Sequence, residues 1–232
     1  GHLDIVELLL DQGLKADAAA KYGGTALRAA ASSGELDVVE FLAQRGAKLD
    51  AAGEDGNTAL LQAAYHRHWD VVGFLADKGA DVAKTDKNGW SALHYAADAG
   101  ELKFAEMAID GGCDVNAAIT DGYRKGSTPL ILAAEEDRLD MVKYLLTRGA
   151  LIDAVNGEGQ SALHRALLGV DYDMHGMDER VFIKFDLAVF EYLAGKGADL
   201  NIKDNLGRTV LDYAKEHDKK DVVELLESMG AL

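Results

Sequence analysis

Apolar residues along the chain form short stripes that are spaced for one face of an α-helix, and the stripes recur. The first clear stripe consists of Val38, Val39, Phe41 and Leu42, and it predicts a helix over about 36–45. Equivalent stripes are Val71, Val72, Phe74 and Leu75; Met141, Val142, Tyr144 and Leu145; and Val222, Val223, Leu225 and Leu226. Because no single pair of helices buries such a stripe, the pattern predicts a stack of helices that cover one another.

A run of small residues precedes these stripes and predicts a second, thinner helix in each unit. In the first complete unit the run is Ala29, Ala30 and Ala31, whose short side chains let neighbouring helices approach closely. Thr25 stands where a helix cap is favoured, because its hydroxyl accepts a hydrogen bond from a free backbone N–H. Gly46 follows the longer helix and ends it, since glycine adopts the left-handed backbone.

Two independent markers repeat along the chain with one period. The hydroxyl residues that open the small-residue helices are Thr25, Thr58, Ser91, Thr128, Ser161 and Thr209. The glycines that close the units are Gly13, Gly46, Gly79, Gly112, Gly149, Gly197 and Gly230. The spacing is 33 except for one step of 37 and one of 48, so four and fifteen residues are inserted. The shorter insertion falls around 120–125 and the longer one in about 170–185.

The repeating unit resembles the ankyrin repeat, whose signature is Thr-Pro-Leu-His-x-Ala. The matching segments are Thr-Ala-Leu-Arg (25–28), Thr-Ala-Leu-Leu (58–61), Ser-Ala-Leu-His (91–94), Thr-Pro-Leu-Ile (128–131), Ser-Ala-Leu-His (161–164) and Thr-Val-Leu-Asp (209–212). The resemblance covers essentially the whole chain, although only Pro129 retains the proline and only His94 and His164 the histidine. It implies an all-α repeat solenoid of stacked helix-turn-helix units with short hairpin-like turns.

The period predicts one domain of six full or near-full repeats preceded by an N-terminal half-repeat. The predicted bounds are 1–19 for the half-repeat, about 20–52, 53–85, 86–118, 119–155 and 156–203 for the repeats, and 204–232 for a polar C-terminal capping repeat. The chain enters at a second helix, with no first helix or cap before it. We therefore expect the sequence to be a fragment of a longer protein, or a preceding segment to be missing.

The negative net charge of the chain disfavours nucleic acids and anionic membranes as partners. Its 24 Lys plus Arg against 40 Asp plus Glu give a net charge of −16, which repels phosphate backbones and anionic lipid surfaces. Nucleic acid is therefore not an expected partner. The apolar runs are too short to span a bilayer, so no membrane insertion is expected. A single cysteine, Cys113, fits a reducing compartment, and we expect a monomer in the cytoplasm, with the nucleus as the alternative.

The sequence contains no arrangement typical of catalysis or of a cofactor site, so we expect neither an enzyme nor a cofactor. His66 and His68 point in different directions on a helix, unlike the i, i+4 pair that binds zinc. The resemblance implies that His94 and His164 have a structural hydrogen-bonding role between loops. Cys113 replaces a small alanine, and we predict a packed residue rather than a reactive thiol.

The fifteen-residue insertion leaves three interpretations. Residues 171–176, Asp-Tyr-Asp-Met-His-Gly, resemble the opening of a calcium loop. The position that needs a bidentate glutamate is Phe182, however, so we predict no metal. A lengthened loop or helix extension whose apolar residues pack partly on the stack is the simplest interpretation, and a partner-contacting loop is the third.

The resemblance assigns partner recognition to a concave face made by the turn tips and the exposed ends of the first helices. Aromatic side chains on an exposed surface are favoured anchors at interfaces. We predict that the partner-binding residues are Tyr22, Tyr65, His66, Lys87, Asn88, Trp90, Tyr123, Arg124 and Lys125. Trp69 replaces the leucine that opens a second helix, and we predict that it lies in the core.

The expected function is a non-catalytic module that binds a partner protein or peptide, mainly through the third to fifth repeats, with the half-repeat counted as the first. Acids on the recognition face favour a basic or mixed-charge partner; they include Glu54, Asp55, Glu135 and Glu136. The alternative prediction for Trp90 and Tyr65 is that they pack on each other between adjacent repeats and do not contact a partner. A second hypothesis is a regulatory or cytosolic segment of a larger enzyme or channel, which the missing first helix suggests.

Overall fold

The computed structural model describes residues 2–20, 23–169 and 187–231, and within these ranges it consists of thirteen α-helices joined by turns. The helices are α1 (Leu3–Asp11), α2 (Ala26–Ser33), α3 (Leu36–Gln44), α4 (Ala59–Tyr65), α5 (Trp69–Asp77), α6 (Ala92–Ala99), α7 (Leu102–Asp110), α8 (Pro129–Glu135), α9 (Leu139–Thr147), α10 (Ala162–Leu168), α11 (Leu187–Gly195), α12 (Val210–Glu216) and α13 (Lys220–Ser228). The predicted all-α repeat fold is confirmed. None of the helices in the described ranges has the length and apolar character needed to cross a membrane.

The chain divides into two compact units, which we call the first unit (residues 1–96 and 103–114) and the second unit (residues 97–102 and 115–232). In the first unit α2 packs on α3 and α4, α5 packs on α3 and α4, and α1 lies against α3. In the second unit α10 packs on α8, α11 and α12, α9 lies between α8 and α11, and α12 packs on α13. The first helices α2, α4, α8, α10 and α12 therefore each pack on their own second helix and on the first helix of a neighbouring repeat.

The hydroxyl residues cap the first helices as predicted. The hydroxyl oxygen of Thr25 accepts a hydrogen bond from the Arg28 backbone N–H at 3.2 Å, and that of Thr58 accepts from Leu61 at 3.2 Å. The same bond recurs at Thr128 and Thr209. These bonds satisfy a backbone N–H that the first helical turn leaves without a partner.

The signature histidines lie fully buried behind these caps. His94 Nδ1 lies 3.1 Å from the Ser91 backbone nitrogen and 2.8 Å from its hydroxyl, and His164 repeats this arrangement with Ser161. Burial lowers the pKa of His164, although the nearby Arg208 backbone and the negative charge of Asp204 oppose the shift. The Nδ1 atom completes the cap of its own helix, whereas Nε2 of His164 is buried without a hydrogen-bond partner among the described residues. The hydrogen-bonding role between loops that the resemblance implies therefore stays a prediction.

The apolar stripes of the second helices are buried only in part. Val38, Val39 and Leu42 are buried, whereas Phe41 is half-buried and its ring is covered by the Arg45 guanidinium at 4.5 Å. Lys78 covers Phe74 and Arg148 covers Tyr144 in the same way. Each ring thus lies at the edge of the core. The cationic side chain four residues later in the chain packs over the face of the ring that is turned toward solvent.

Trp69 differs from its prediction because it is half-buried rather than a core residue. It opens α5, and its ring stacks on Phe104 of α7 with centroids 5.1 Å apart. Like Phe41, Phe74 and Tyr144, it packs at the rim of the stack. Its large indole covers apolar surface between two neighbouring second helices without entering the interior.

Side chains of Asp and Asn link consecutive repeats, and we call the set of these bonds the inter-repeat ladder. In the first unit Asp17 accepts from the Lys48 backbone N–H at 2.7 Å, and Asp50 accepts from that of Asp81 at 2.9 Å. In the second unit the same bonds run from Leu151 to Asn116 at 2.8 Å and from Asp199 to Asp153 at 2.9 Å. At these four places a repeat supplies a side-chain acceptor to the backbone of the repeat that follows it.

Replacing Asn116 with alanine is expected to lower the free energy of unfolding by about 1–2 kcal/mol, because two inter-repeat hydrogen bonds are lost. Besides accepting from Leu151, the Asn116 side chain donates to the Gly149 carbonyl at 3.1 Å. Urea unfolding followed by circular dichroism measures the loss. The matched control is Asn88→Ala at an exposed turn position, which should cost less than about 0.5 kcal/mol. Equal losses for the two variants would contradict the role of the ladder.

Candidate protein-binding surface

One turn tip of the first unit, at residues 86–90, is organised by a buried carboxylate. Asp86 Oδ1 accepts hydrogen bonds from the backbone N–H groups of Asn88 and Trp90, both at 2.9 Å. The Lys87 backbone N–H donates to the Asp55 carbonyl of the preceding turn at 3.0 Å. These bonds fix the turn, so Lys87 and Asn88 are exposed at its tip and Trp90 is half-buried beside α6.

Four ring side chains of the first unit form what we call the aromatic patch: Tyr65, His66, Trp90 and Tyr95. Trp90 stacks on Tyr95 with centroids 4.9 Å apart and an interplanar angle of 17°. Tyr95 meets Tyr65 edge to face at 5.9 Å, and His66 packs against Tyr65 at 4.8 Å. Tyr65 nevertheless remains 62% exposed. The patch therefore presents a large exposed ring that its neighbours hold from one side.

Tyr95 is the member of this patch that was not predicted from the sequence. The alternative in which Trp90 and Tyr65 pack directly on each other is replaced by an arrangement in which each contacts Tyr95. The residue after the signature histidine varies, being alanine, glutamine, leucine, arginine or tyrosine in the other repeats, but Leu132 and Tyr213 at this position are buried. The residue type at this position therefore did not mark Tyr95 as a surface residue.

Asp55, one of the acids expected to attract a basic partner, is already paired within the first unit. The Arg28 guanidinium donates to both of its carboxylate oxygens, at 2.9 and 3.0 Å. Burial pushes the pKa of Asp55 upward, but hydrogen bonds from Asn57 and the charge of Arg28 outweigh burial, so the net pKa is lowered. Asp55 therefore stays ionised, with its charge largely balanced by Arg28.

The shorter insertion forms a turn in the second unit. Its base is closed by backbone bonds from Ile119 to the Ser127 carbonyl at 3.0 Å and from Gly126 to the Ile119 carbonyl at 2.7 Å. Tyr123 is 78% exposed, and Lys125 is exposed as well. Arg124 between them turns inward, so the three predicted contact residues of this turn do not share one environment.

Arg124 belongs to a group of charged side chains that we call the acid–arginine cluster: Asp98, Arg124, Glu135, Glu136 and Arg165. The Nη1 atom of Arg124 lies 2.8 Å from Asp98 Oδ1 and 3.6 Å from Glu135 Oε2, and Nη2 lies 3.2 Å from Glu136 Oε1. Arg165 pairs with Glu135 and donates to the Gly169 carbonyl at 3.0 Å. The side chain of Glu135 is only 4% exposed.

The electrostatics of the cluster follow from this packing. Burial raises the pKa of Glu136, the negative charge of Asp98 raises it further, and hydrogen bonding to Arg124 acts in the opposite direction. Burial alone would lower the pKa of Arg124, yet Glu135 and Asp98 raise it on balance. Three carboxylates on the ends of α6 and α8 therefore depend on two guanidinium groups for their neutralisation.

Several predicted features lie outside the described residues. They are Tyr22 and the longer insertion of about 170–185, including its calcium-like sequence. Among the residues that the structure does describe, no group of three or more His, Cys, Asp or Glu is arranged to hold a metal ion. Cys113 is buried, its thiol donates to the Val82 carbonyl at 3.2 Å, and burial raises its pKa. The thiol is therefore protonated and packed.

Comparison with known proteins gives matches over most of the chain. A family model described as ankyrin repeats (3 copies) matches residues 1–52 and 48–119, and one described as ankyrin repeats (many copies) matches residues 113–166. The ankyrin repeat domain of human ASB11 superposes with a TM-score of 0.72 at 23% identity, covering 90% of this chain and 86% of that one. That likeness supports the fold.

Three relatives are similar over about half of this chain. Ankyrin repeat protein L271 of Acanthamoeba polyphaga mimivirus is 29% identical over 106 residues, which are 44% of this chain and 12% of that protein. BRCA1-associated RING domain protein 1 of Caenorhabditis elegans is 31% identical over 113 residues, which are 48% of this chain and 13% of that protein. Potassium channel AKT2/3 of Arabidopsis thaliana is 30% identical over 133 residues, which are 49% of this chain and 16% of that protein.

The matched regions are thus only 12–16% of these relatives' lengths, so the similarity concerns their repeats and not their whole activities. The family match itself rests on more than half of this chain and agrees with the capped first helices and the buried signature histidines. The chain therefore belongs to the ankyrin repeat family.

Proposed function

We propose that this chain is a non-catalytic interaction module that binds a partner protein or peptide, with the aromatic patch of the first unit as the anchor of the contact. The observation that carries the proposal is the exposure of Tyr65, which is 62% exposed although Tyr95 and His66 pack against it. Exposed aromatic rings gain more than most side chains when a partner covers them.

The patch is also ordered before a partner arrives. Trp90 is held by stacking on Tyr95, and the backbone of its turn is tied to Asp86. Ordering these groups in advance reduces the entropy lost on association. Lys87 and Asn88, exposed at the adjoining turn tip, offer hydrogen bonds at the edge of the patch. This combination of an apolar centre and a polar rim is typical of protein interfaces.

Affinity capture from the source cell tests the anchor. Replacing Tyr65 and Trp90 with alanine together is expected to reduce capture of at least one protein by about tenfold or more, because the central rings of an interface carry most of its affinity. Tyr65→Ala alone should show the same direction of change. The control is Tyr192→Ala, which removes a half-buried ring from the second helix α11. Unchanged capture of every protein by the folded double variant would refute the patch.

A second candidate is a regulatory or cytosolic ankyrin segment of a larger enzyme or channel. The similarity to a potassium channel favours it, as does the small share of each relative that this chain matches. The coding sequence of the parent gene decides between the two candidates. A catalytic or membrane-spanning segment in the same gene supports the second, and the absence of both supports a free-standing adaptor.

For either candidate we expect the chain to lie in the cytoplasm, with the nucleus as the alternative. We also expect it to be a monomer. The net charge of −16 favours a basic or mixed-charge partner over an acidic one. Size-exclusion chromatography with light scattering tests the monomer, and localisation of a tagged parent protein tests the compartment.

A further inference from the structure

Two asparagines of the chain are followed by glycine, and both lie at turns: Asn88 in the turn of residues 86–89 and Asn156 at the start of the turn of residues 156–159. Glycine has no side chain to shield its backbone nitrogen, so that nitrogen can reach the side-chain carbonyl carbon of the asparagine before it. The attack releases the side-chain amide, and it requires that the amide and the glycine N–H are both free to move. The structure gives the two asparagines different freedom in this respect.

Asn156 is held in its turn together with the glycine that follows it. Its Oδ1 accepts hydrogen bonds from the backbone N–H groups of Glu158 at 3.0 Å and Gln160 at 2.9 Å. The N–H of Gly157, the potential nucleophile, donates to the Lys125 carbonyl of the preceding turn at 2.8 Å. Three hydrogen bonds must therefore break before Asn156 and Gly157 react with each other.

Asn88 lies two positions further along its turn, and its side chain is exposed. The hydrogen bond that ties Asn88 to Asp86 Oδ1, at 2.9 Å, comes from its backbone N–H. Its side-chain amide has no hydrogen-bond partner among the residues that the structure describes. The Gly89 N–H donates to the Asp86 carbonyl at 3.1 Å within the same turn. One hydrogen bond is therefore lost when Gly89 attacks Asn88, against three at the other asparagine.

We propose that Asn88 is a deamidation site, at which ageing of the folded chain converts the side-chain amide to a carboxylate. The Gly89 nitrogen forms a bond to Asn88 Cγ and loses its proton, the Cγ–Nδ2 bond breaks, and Nδ2 leaves as ammonia. The product is a cyclic succinimide. Water then adds to one of its two carbonyl carbons and opens the ring to aspartate or isoaspartate, so one water is consumed for each ammonia released.

Both products disturb the turn that holds Trp90. Asp86 Oδ1 accepts from the N–H groups of Asn88 and Trp90, both at 2.9 Å. Isoaspartate adds a carbon atom to the backbone between these two donors, so both bonds cannot keep their geometry. Aspartate keeps the backbone length, but it places a second carboxylate in the turn that already contains Asp86, which is 8% exposed. Deamidation therefore loosens the backbone on which Trp90 depends.

This modification deepens the proposed function, and its effect on partner binding rests on that function. Trp90 stacks on Tyr95 in the aromatic patch, and the bond to Asp86 fixes the backbone beside it. A loosened turn must be ordered again when a partner binds, which costs affinity. Partner capture is therefore expected to decline as Asn88 is converted, whereas the conversion itself needs water and no partner.

Mass spectrometry of peptides from protein aged in mildly alkaline buffer tests the site. In the folded chain Asn88 should convert about tenfold or more faster than Asn156, because the second amide must first leave its hydrogen bonds. In urea the two positions should react at similar rates, since both asparagines precede glycine. Equal conversion of the two positions in the folded chain, slower conversion of Asn88, or none would overturn the proposal.

The matched control for ageing is Asn88→Gln, whose longer side chain would have to close a larger ring and should stay unconverted. The effect on the turn is measured by the fluorescence of Trp90 in a Trp69→Phe background, which leaves a single tryptophan. Quenching by acrylamide should increase with the converted fraction, and aged Asn88→Gln should keep its initial value. An unchanged Trp90 signal after conversion would refute the loosening of the turn.

Capture of the proteins that require Tyr65 and Trp90 tests the link to binding. Aged wild type should lose this capture in proportion to the converted fraction, and aged Asn88→Gln should retain it. Failure of Asn88 to convert would leave the capture experiment on Tyr65 and Trp90 unchanged. Absence of any captured protein would leave the mass and fluorescence results unchanged, so the two proposals fail separately.

Discussion

Replacing Phe190 with alanine is expected to lower the free energy of unfolding by about 4 kcal/mol, because the substitution empties the space of a whole ring in the core. Phe190 is fully buried in α11 and is the largest of the fully buried side chains in the described residues. Its helix packs on α9 and α10, so truncation leaves a cavity between elements that the rest of the second unit holds in place. The loss combines the transfer of the ring to water with the unfilled volume.

Equilibrium urea unfolding, with hydrogen exchange as a second measurement, tests this expectation. Repeat arrays do not always unfold in one step, and hydrogen exchange shows whether the loss is confined to the second unit. Tyr192→Ala in the same helix is the matched control, because the Tyr192 ring is half-buried and lies near the Lys143 and Lys196 ammonium groups. It should cost less than half as much. A loss for Phe190→Ala no greater than that of the control would show that α11 adds little to the core.

Replacing Glu135 with alanine is expected to lower the free energy of unfolding by about 3 kcal/mol, because two buried guanidinium groups then lose the carboxylate they share. Arg124 and Arg165 are 16% and 11% exposed, so neither recovers full hydration when Glu135 is removed. Glu135→Gln keeps the shape and some hydrogen bonding, and should cost less. The measurement is urea unfolding at low and high salt, where the loss should persist because buried pairs are screened little.

Two further variants define the origin of this loss. Glu158→Ala removes an exposed glutamate from the second unit and should change the free energy of unfolding by less than about 0.5 kcal/mol. Combining Glu135→Ala with Arg165→Ala should cost less than the sum of the single variants, since the double variant leaves one fewer uncompensated charge. Additive losses would show that the two side chains do not interact energetically.

The repeat period made most of the fold predictable, because stacking requires the same residue types at the same places in every unit. The hydroxyls of Thr25 and Thr58 cap their helices as the sequence predicted, because each accepts a hydrogen bond from a backbone N–H of the first helical turn. The aromatic members of the stripes were harder to place. Hydrophobicity alone places Phe41 and Trp69 in the core, whereas in the fold they lie at the rim, where a cation or another ring covers them.

The candidate surface was predicted less completely, because its chemistry depends on distances between repeats. Arg124 and Glu135 were predicted to share one face, but only the folded turn brings the guanidinium within ion-pair distance of three carboxylates. Nor could residue types predict that Arg67, Asp137 and Asp218 adopt positive φ angles of 62°, 54° and 52°. They follow the first helices at the position that Gly34 occupies in another repeat, so the fold imposes a left-handed backbone on ordinary residues there.

The direction of the inter-repeat ladder coincides with the direction in which a ribosome makes the chain. Asp17 precedes the backbone group of Lys48 that it accepts from, and Asn116 likewise precedes Leu151. During synthesis, each acceptor side chain has therefore left the ribosome before its donor appears. A newly made repeat can therefore pack on a repeat that is already folded on its N-terminal side. Folding can then proceed from the N-terminus toward the C-terminus within each unit, as domains commonly do during translation.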